Sequence, residues 1–275
     1  MLQDIAPKIM HNQYCEKEVN EESVILCFDK NTVLTGQKQL FPKWKEFEQT
    51  DRLKDALTYL FSIDGQDYFL APVSEALQLQ GYEYVNVRAL RDTAKGVDCF
   101  AAATGYHLFV WYRDNQFCGR CGQRLVKDTK ERMMRCSCGN MVFPKIAPAV
   151  IVGIIDQEKH RILMTKYAGR EYKKYALVAG FTEIGETAEE TVAREVMEEV
   201  GLKVKNIRYY KSQPWGFDSN LLMGFFADLD GSDEIRRDAS ELAVAEWIAW
   251  KDTKGMDDGA SLTRAMIQAF YTGEA

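Results

Sequence analysis

The chain has 275 residues, 46% of them hydrophobic and 28% charged, and a formal net charge of −6 at pH 7. This composition is typical of a globular protein of one to three domains with a buried core. The acidic excess argues against indiscriminate nucleic-acid binding, which relies on basic surfaces. Because no apolar run approaches a bilayer's thickness and the first residues lack a signal-peptide apolar region, we expect a cytoplasmic protein without a membrane partner.

Residues 1–113 are predicted to form a small α/β domain. Two strand-like runs at 59–63 and 66–70 flank Asp64-Gly65, a strong short-range signal for a two-residue hairpin. A further strand is predicted at 82–90, and a helix rich in alanine and aromatic residues at 93–112. We expect the large aromatic side chains here to be core, and the region carries no recognisable chemistry.

Residues 114–144 contain four of the seven cysteines, arranged as two knuckles that each precede a glycine: Cys118, Cys121, Cys136 and Cys138. Two such knuckles joined by a hairpin are how a zinc ribbon presents four thiolates to Zn²⁺. The alternatives are reduced structural thiols or a redox pair at Cys118 and Cys121. Only Ser137 separates the second pair of thiols, where the usual ribbon has two residues, so the site could be strained. With no open coordination position, a zinc ion here is expected to be structural.

From residue 145 to residue 275 the pattern predicts strands around a central helix. Strands are predicted at 149–156, 161–166, 175–179, 207–210, 221–227 and 246–250. A closing amphipathic helix is predicted at 261–271, with Ser261 as its cap. Thr187 with Glu190 forms a capping box and Gly201 suits a left-handed C-terminal cap, which places the central helix at 188–200. We therefore predict an α/β fold with a mixed sheet.

The central helix gathers carboxylates. At roughly 100° per residue, Glu195, Glu198 and Glu199 fall on one face. Three apolar residues point to another face, which we expect to pack: Ala193, Val196 and Val200. The acids repel one another, so the cluster calls for arginines or for hard divalent cations such as Mg²⁺ or Mn²⁺. The alternative is a solvated glutamate-rich face.

The whole stretch 180–202, GFTEIGETAEETVAREVMEEVGL, resembles an intact Nudix box. The fixed residues that carry the resemblance are Gly180, Glu186, Arg194, Glu195, Glu198, Glu199 and Gly201. It implies a Nudix fold, with a mixed sheet sandwiched by helices. It also implies a hydrolase of nucleoside diphosphates linked to another moiety, whose loop-helix-loop motif holds divalent metal against the diphosphate.

Residues 212–220, SQPWGFDSN, resemble the SQPWPFPxS signature of the NADH pyrophosphatases, a Nudix subfamily with a zinc ribbon before its catalytic domain. This resemblance covers about residues 117–250. Gly216 and Asp218 replace both interior prolines, so we expect a loop that is less pre-organised and newly acidic. The final serine of the signature aligns with Asn220. The alternative is a structural turn with a buried Trp215.

The resemblance implies roles for further residues. The adenine of a dinucleotide would stack between Phe143 and Phe181, and because the family resembles homodimers, Phe143 can come from the partner subunit. The remaining substrate-binding candidates lie in the downstream signature: Gln213, Trp215, Phe217, Ser219 and Asn220.

The resemblance also implies that Glu195, Glu198 and Glu199 hold the catalytic metals and that Glu241 matches a family glutamate outside the box. Arg194 is expected to brace a carboxylate as a bidentate donor. Which glutamate accepts the proton stays open, since these carboxylates titrate together.

We therefore expect hydrolysis of NADH or NAD to nicotinamide mononucleotide and AMP, with Mg²⁺ or Mn²⁺ as catalytic metal. The same bond occurs in RNA that carries an NAD cap. One alternative is a general Nudix hydrolase of ADP-ribose or dinucleoside polyphosphates. Another is a zinc-ribbon regulator that binds nucleic acid and senses a ligand, which the complete box and the acidic charge disfavour.

Overall fold

A computed structural model of the protein describes residues 1–48, 50–94, 96–169, 174–256 and 261–275. The chain divides into two units. Unit 1 comprises Met1, Ile146–Pro214 and Asn220–Ala275, and unit 2 comprises Leu2–Lys145 and Trp215–Ser219. The boundaries predicted at residues 113 and 144 stay predictions. Within the described ranges, no helix combines the length and apolar character needed to cross a bilayer.

Unit 2 contains three small sheets and one long helix. Its strands are β1 (Met10–His11), β2 (Val24–Leu26), β3 (Phe28–Asp29), β4 (Thr32–Gly36), β5 (Thr58–Ile63), β6 (Gln66–Leu70), β7 (Tyr82–Asn86), β8 (Val126–Lys127), β9 (Met134–Arg135) and β10 (Met141–Val142). Its helices are α1 (Asp51–Ala56), α2 (Leu90–Thr93) and α3 (Gly96–Asp114). The sheets have the strand orders β1-β5-β6-β2, β3-β4-β7 and β10-β9-β8.

The predicted hairpin of unit 2 is confirmed. Strands β5 and β6 pair antiparallel, and the turn residues Asp64 and Gly65 both have positive φ, 48° and 77°, as a two-residue turn matching the twist of its strands requires. The strand predicted at 82–90 ends earlier, because the Asn86 side chain accepts from the Arg88 N–H and starts a 3₁₀ turn. The helix predicted at 93–112 begins at Gly96, and Lys95 lies outside the described residues.

Unit 1 is a mixed sheet with two helices. Its elements are β11 (Ala147–Asp156), β12 (Arg161–Tyr167), β13 (Val178–Phe181), α4 (Ala188–Val200), β14 (Val204–Trp215), β15 (Asn220–Leu229), β16 (Leu242–Ala249) and α5 (Leu262–Thr272). The strand order is β14-β15-β11-β12-β16, with β13 paired to β11. The β11–β15 pair is parallel, whereas β11–β12, β11–β13 and β12–β16 are antiparallel.

The sheet of unit 1 is covered by a helix on each face. Side chains alternate between the faces of a strand, so Val150, Val152 and Ile154 of β11 pack in one hydrophobic cluster with α4. Ile151 and Ile155 of the same strand pack in a second cluster with α5. The predicted fold, a mixed sheet between helices, is confirmed.

Several predicted details of unit 1 are wrong. The packed stripe of α4 is Val192, Val196 and Val200, at spacings of four, and Ala193 is exposed because it lies one residue, or roughly 100°, away from that stripe. The strand predicted at 175–179 is found at Val178–Phe181. Its neighbour Ala176 forms only an isolated bridge to Thr165.

Candidate active site and zinc site

The loop and helix of the Nudix-like stretch are fixed at both ends by local hydrogen bonds. The Thr187 hydroxyl accepts from the Glu190 N–H, and the Glu190 carboxylate accepts from the Thr187 N–H. At the other end Gly201 has φ 68° and donates its N–H to the Met197 carbonyl. The helix therefore has the predicted bounds and presents its carboxylates at fixed positions.

Arg194 lies at the centre of the carboxylate cluster. Its Nε and Nη2 donate to the two oxygens of Glu186 at 2.6 and 2.9 Å. Its Nη1 donates to Glu195 Oε1 at 2.7 Å and to Glu198 Oε2 at 2.9 Å. A further bond at 2.9 Å reaches the Phe181 carbonyl. One guanidinium thus holds three carboxylates and the end of β13, and it offsets the repulsion that the sequence predicts.

The Glu186 carboxylate accepts four hydrogen bonds, from Glu183, Thr191 and Arg194. The guanidinium of Arg194, with the Glu183 N–H and the Thr191 hydroxyl, lowers the pKa of Glu186 to about 2. Ionised at every physiological pH, Glu186 anchors Arg194 from the loop that precedes the helix.

Glu195 is buried against the backbone of Gly180. A methyl group built on Gly180 would lie 1.9 Å from Glu195 Cδ and 2.1 Å from each carboxylate oxygen. Burial raises the pKa of Glu195; Arg194 opposes this shift, and the charges of Glu198 and Glu241 add to it. The interaction with Glu241 brings that exposed residue, which immediately precedes β16, into the electrostatic field of the site.

The other two helix glutamates differ in environment. Glu199 is buried, whereas the Glu198 side chain is largely exposed. Among the described residues, only the four cysteines form a group of three or more potential ligands close enough to hold a metal ion. The glutamates are therefore not a closed cage. As an all-oxygen, anionic donor set beside an exposed face, they fit a hard divalent cation that keeps part of its coordination shell for substrate and water.

The four cysteines form one compact cluster despite the short second knuckle. Their sulfur atoms all lie within 4.8 Å of one another. Two of the separations are 3.8 Å, between Cys118 and Cys138, and 3.4 Å, between Cys121 and Cys136. A tetrahedron of sulfurs at about 2.3 Å from Zn²⁺ requires about 3.8 Å between sulfurs. The residues present fit zinc.

Both knuckles are tight turns, and the first of them lowers the pKa of the Cys118 thiol. Gly122 and Gly139 have φ of 74° and 85° and donate to the carbonyls of Cys118 and Cys136. Burial disfavours the Cys118 thiolate, yet the N–H groups of Arg120 and Cys121 and the amide of Asn140 lower its pKa to about 6. Cys118 is thereby prepared as a metal ligand, because metals bind the deprotonated thiol.

Two candidate stacking rings are available on the surface. Phe143 of unit 2 is 52% exposed and Phe181 of unit 1 is 54% exposed. Large aromatic rings are usually buried, so this exposure is compatible with a ligand-binding role.

Three of the predicted substrate-binding residues lie in the protein interior. Gln213 is fully buried and its Oε1 accepts from the Leu262 N–H at 2.7 Å, at the start of α5. Phe217 is buried in the hydrophobic core of unit 2. Asn220 is also buried, and its Oδ1 has no hydrogen-bond partner among the described residues. Ser219, at φ 58°, is partly buried.

The loop Trp215–Ser219 is held by residues that the sequence did not indicate. Asp218 Oδ1 accepts from Arg88 at 2.5 Å, and Asp218 Oδ2 accepts from the Trp215 indole N–H at 3.0 Å. The Arg91 guanidinium lies 5.0 Å from the centre of the Trp215 ring. The expected loss of pre-organisation is thus offset by contacts with Arg88 and Arg91, which no local sequence pattern connects to the loop.

Two domain models match the chain. The NUDIX domain model matches residues 145–270, and the NADH pyrophosphatase zinc ribbon domain model matches residues 113–143. The ribbon match includes all four cysteines, and the NUDIX match includes the complete carboxylate cluster.

The chain is similar to known proteins. The NAD-capped RNA hydrolases NudC of Salmonella typhi and of Salmonella heidelberg (strain SL476) are each 38% identical over 198 residues, which is 72% of this chain and 76% of each relative. Among solved structures, the crystal structure of a NUDIX hydrolase from Nitrosomonas europaea covers 58% of this chain and 94% of its own, with 23% identity and a TM-score of 0.46.

Proposed function

Because the chain belongs to the Nudix hydrolase family, we propose that it hydrolyses the diphosphate bond of NADH or NAD, giving nicotinamide mononucleotide and AMP. The observation that carries the proposal is the Arg194 network, in which one guanidinium orders Glu186, Glu195 and Glu198 within the box. The zinc ribbon domain narrows the substrate to a nicotinamide dinucleotide, because its matching model is that of NADH pyrophosphatases.

Hydrolysis of this bond requires water to attack phosphorus in an already anionic linkage. Glu195, Glu198, Glu199 and Glu241 would hold Mg²⁺ or Mn²⁺, which when bound neutralises the phosphates and acidifies water. Arg194 Nη1 bridges Glu195 and Glu198, which orients both carboxylates and offsets their mutual repulsion. One carboxylate of this coupled group accepts the proton of the attacking water. Burial of Glu195 and Glu199 limits competing solvent at two of the donors.

Recognition of the dinucleotide is assigned to aromatic and loop residues. Phe143 and Phe181 would stack on the adenine, with each stacking contact contributing about 1–3 kcal/mol. Trp215 and Ser219 would contact the remainder of the molecule, with the buried Asn220 beside them. Gln213 and Phe217 would support this surface from the interior.

We propose the NAD cap of RNA as a second substrate of the same site. The relatives from Salmonella are NAD-capped RNA hydrolases and share 38% of aligned residues with this chain. The same diphosphate bond is broken in both substrates. In the capped RNA, the RNA chain continues from the adenosine half of the dinucleotide.

We also propose that two chains assemble as a homodimer, which would allow Phe143 of one chain to serve the site of the other. Supporting this, the ribbon leaves four apolar side chains exposed in the monomer: Phe117, Val126, Met141 and Phe143. Where exposed apolar side chains form one contiguous patch, they are typical of an interaction surface.

The test is a steady-state comparison of NADH, NAD, ADP-ribose and NAD-capped RNA with Mg²⁺ and with Mn²⁺, with products identified by chromatography. We expect nicotinamide mononucleotide from the dinucleotides. Glu198→Gln and Glu199→Gln should lower kcat by about two to four orders of magnitude with folding intact. Near-normal turnover by these variants would refute the catalytic assignment, and a preference for ADP-ribose would indicate a general Nudix hydrolase.

A further inference from the structure

The loop Trp215–Ser219 connects two strands of unit 1, yet it packs as part of unit 2. It departs from the NADH pyrophosphatase signature at Gly216 and Asp218. We propose that Arg88 is a positioning residue that fixes this loop, through Asp218, in the conformation that binds the dinucleotide. This inference rests on the proposed function for its substrate and on the contacts of unit 2 for its mechanism.

The first step is the ion pair itself. Arg88 Nη2 lies 2.5 Å from Asp218 Oδ1, across 130 positions of sequence. The same nitrogen lies 3.4 Å from the Phe217 carbonyl, so the guanidinium contacts both the side chain and the backbone of the loop. The backbone of Arg88 is fixed in turn, because its N–H donates to the Asn86 side chain.

The second step is that Asp218 connects Arg88 to the aromatic rings of the loop. Its second oxygen accepts from the Trp215 indole N–H at 3.0 Å, so one carboxylate joins Arg88 to Trp215. The Trp215 and Phe217 rings meet edge to face at 5.1 Å between centroids. Arg88 and Arg91 each lie over one of these rings, at 5.7 Å from the Phe217 centroid and 5.0 Å from the Trp215 centroid.

The third step is steric and independent of charge. A methyl group on Gly216 would lie 2.0 Å from the Ala103 carbonyl oxygen and 3.4 Å from His107 Cβ. The loop backbone therefore lies directly against α3, in a space that excludes any side chain. A proline at position 216 would not fit here.

Together these contacts explain both departures from the signature. Prolines stiffen a loop from within by fixing φ. In this chain Gly216 permits close packing on α3 and Asp218 recruits Arg88, so the restraint comes from outside the loop. Arg88 also neutralises an acid that would otherwise repel an anionic diphosphate. In this proposal Arg88 contributes to substrate binding through the loop that it holds.

The experiment compares Arg88→Ala with the matched control Arg113→Ala. Arg113 belongs to the same unit, pairs with Asp114 at 2.8 Å and is similarly exposed, 38% against 46% for the Arg88 side chain. Amide hydrogen exchange of the peptide spanning residues 213–221 and steady-state kinetics with NADH are measured on each full-length protein. For Arg88→Ala we expect faster exchange in this peptide and a KM raised about threefold to tenfold. Its kcat should stay within about twofold of wild type, and the control should change neither quantity.

Arg88→Lys keeps the positive charge, so its amide exchange and its KM should both stay close to the wild-type values. Unchanged exchange in Arg88→Ala would overturn the restraint, and faster exchange with an unchanged KM would overturn its role in substrate binding. A wild-type protein that does not hydrolyse NADH would refute the proposed substrate and with it the positioning role. In that case the exchange measurement would still show whether Arg88 restrains the loop.

Discussion

A side chain at position 180 would occupy the space of the Glu195 carboxylate. We predict that Gly180→Ala displaces Glu195 and lowers kcat/KM about 100-fold, the loss that follows a misplacement of about 1 Å at a catalytic group. Gly96→Ala is the control, because a methyl group there meets nothing within 4 Å. Circular dichroism should show both variants folded. Wild-type activity in Gly180→Ala would mean that the position of Glu195 is unimportant.

Glu195 also links activity to stability. Burial raises its pKa in the folded state, so the folded protein binds more protons than the unfolded chain between the ordinary and the raised pKa. The free energy of unfolding therefore falls as pH rises through that window and stays lower above it. We predict that Glu195→Gln, measured by urea unfolding with a metal chelator, gains stability relative to wild type between pH 4 and pH 8.

The matched control for that measurement is Glu158→Gln, which changes an exposed carboxylate of the same unit. Its substitution should change the free energy of unfolding less than Glu195→Gln does, because the side chain is exposed. Glu195→Gln should at the same time be nearly inactive, because a buried carboxylate retained at a cost in stability is typical of a functional site. If the difference in stability between Glu195→Gln and wild type did not change with pH, the raised pKa of Glu195 would not be its cause.

At the residue scale, the sequence predicted the Nudix-box residues and the cysteines because they lie at fixed spacings along single elements. It proposed Gln213 and Phe217 as substrate-binding residues, and the structure places both side chains in the interior. It missed Arg88 and Arg91, since their contacts depend on folding that joins residues about 130 positions apart. Spacing reports local geometry, and the long-range partner of a loop leaves no such pattern.

At the scale of helices and strands, bounds set by local contacts were predicted and bounds set by distant contacts were not. The bounds of α4 were predicted correctly because its capping groups, Thr187, Glu190 and Gly201, are all local. Strand β14 was predicted at 207–210 but runs over Val204–Trp215. Its alternation of charged and apolar residues is weak, and pairing with β15 at the edge of the sheet sets its length instead.

The cysteine knuckles carry a prediction about metal content. We expect elemental analysis of the purified protein to give about one zinc per chain. Cys136→Ser should lose the zinc and lower the stability of unit 2, because a structural metal contributes directly to folding. Cys15→Ser is the control, since Cys15 is exposed and lies outside the cluster. A folded wild-type protein without zinc would show that the short second knuckle has lost its site.

At the scale of the whole molecule, the proposed assembly can be measured by mass. The chain has a mass of 31.5 kDa, so light scattering should give twice 31.5 kDa for a homodimer. Replacing Phe117 and Val126 by serine should shift the protein toward 31.5 kDa, because these side chains are exposed in the monomer. Tyr209→Ser, which changes an exposed aromatic residue of unit 1, is the control. A wild-type protein of single-chain mass would contradict the homodimer.

The position of the loop Trp215–Ser219 in the chain has a consequence for biosynthesis. Unit 2 is otherwise complete at Lys145, but the loop that packs against Ala103 is made 74 residues later, from 145 to 219. At about 5–20 residues per second, a ribosome needs roughly 4–15 seconds to supply it. During this interval the surface of α3 at Ala103 is uncovered in the nascent chain. Nascent chains released before residue 219 should therefore be a substrate for chaperones that bind exposed apolar surface.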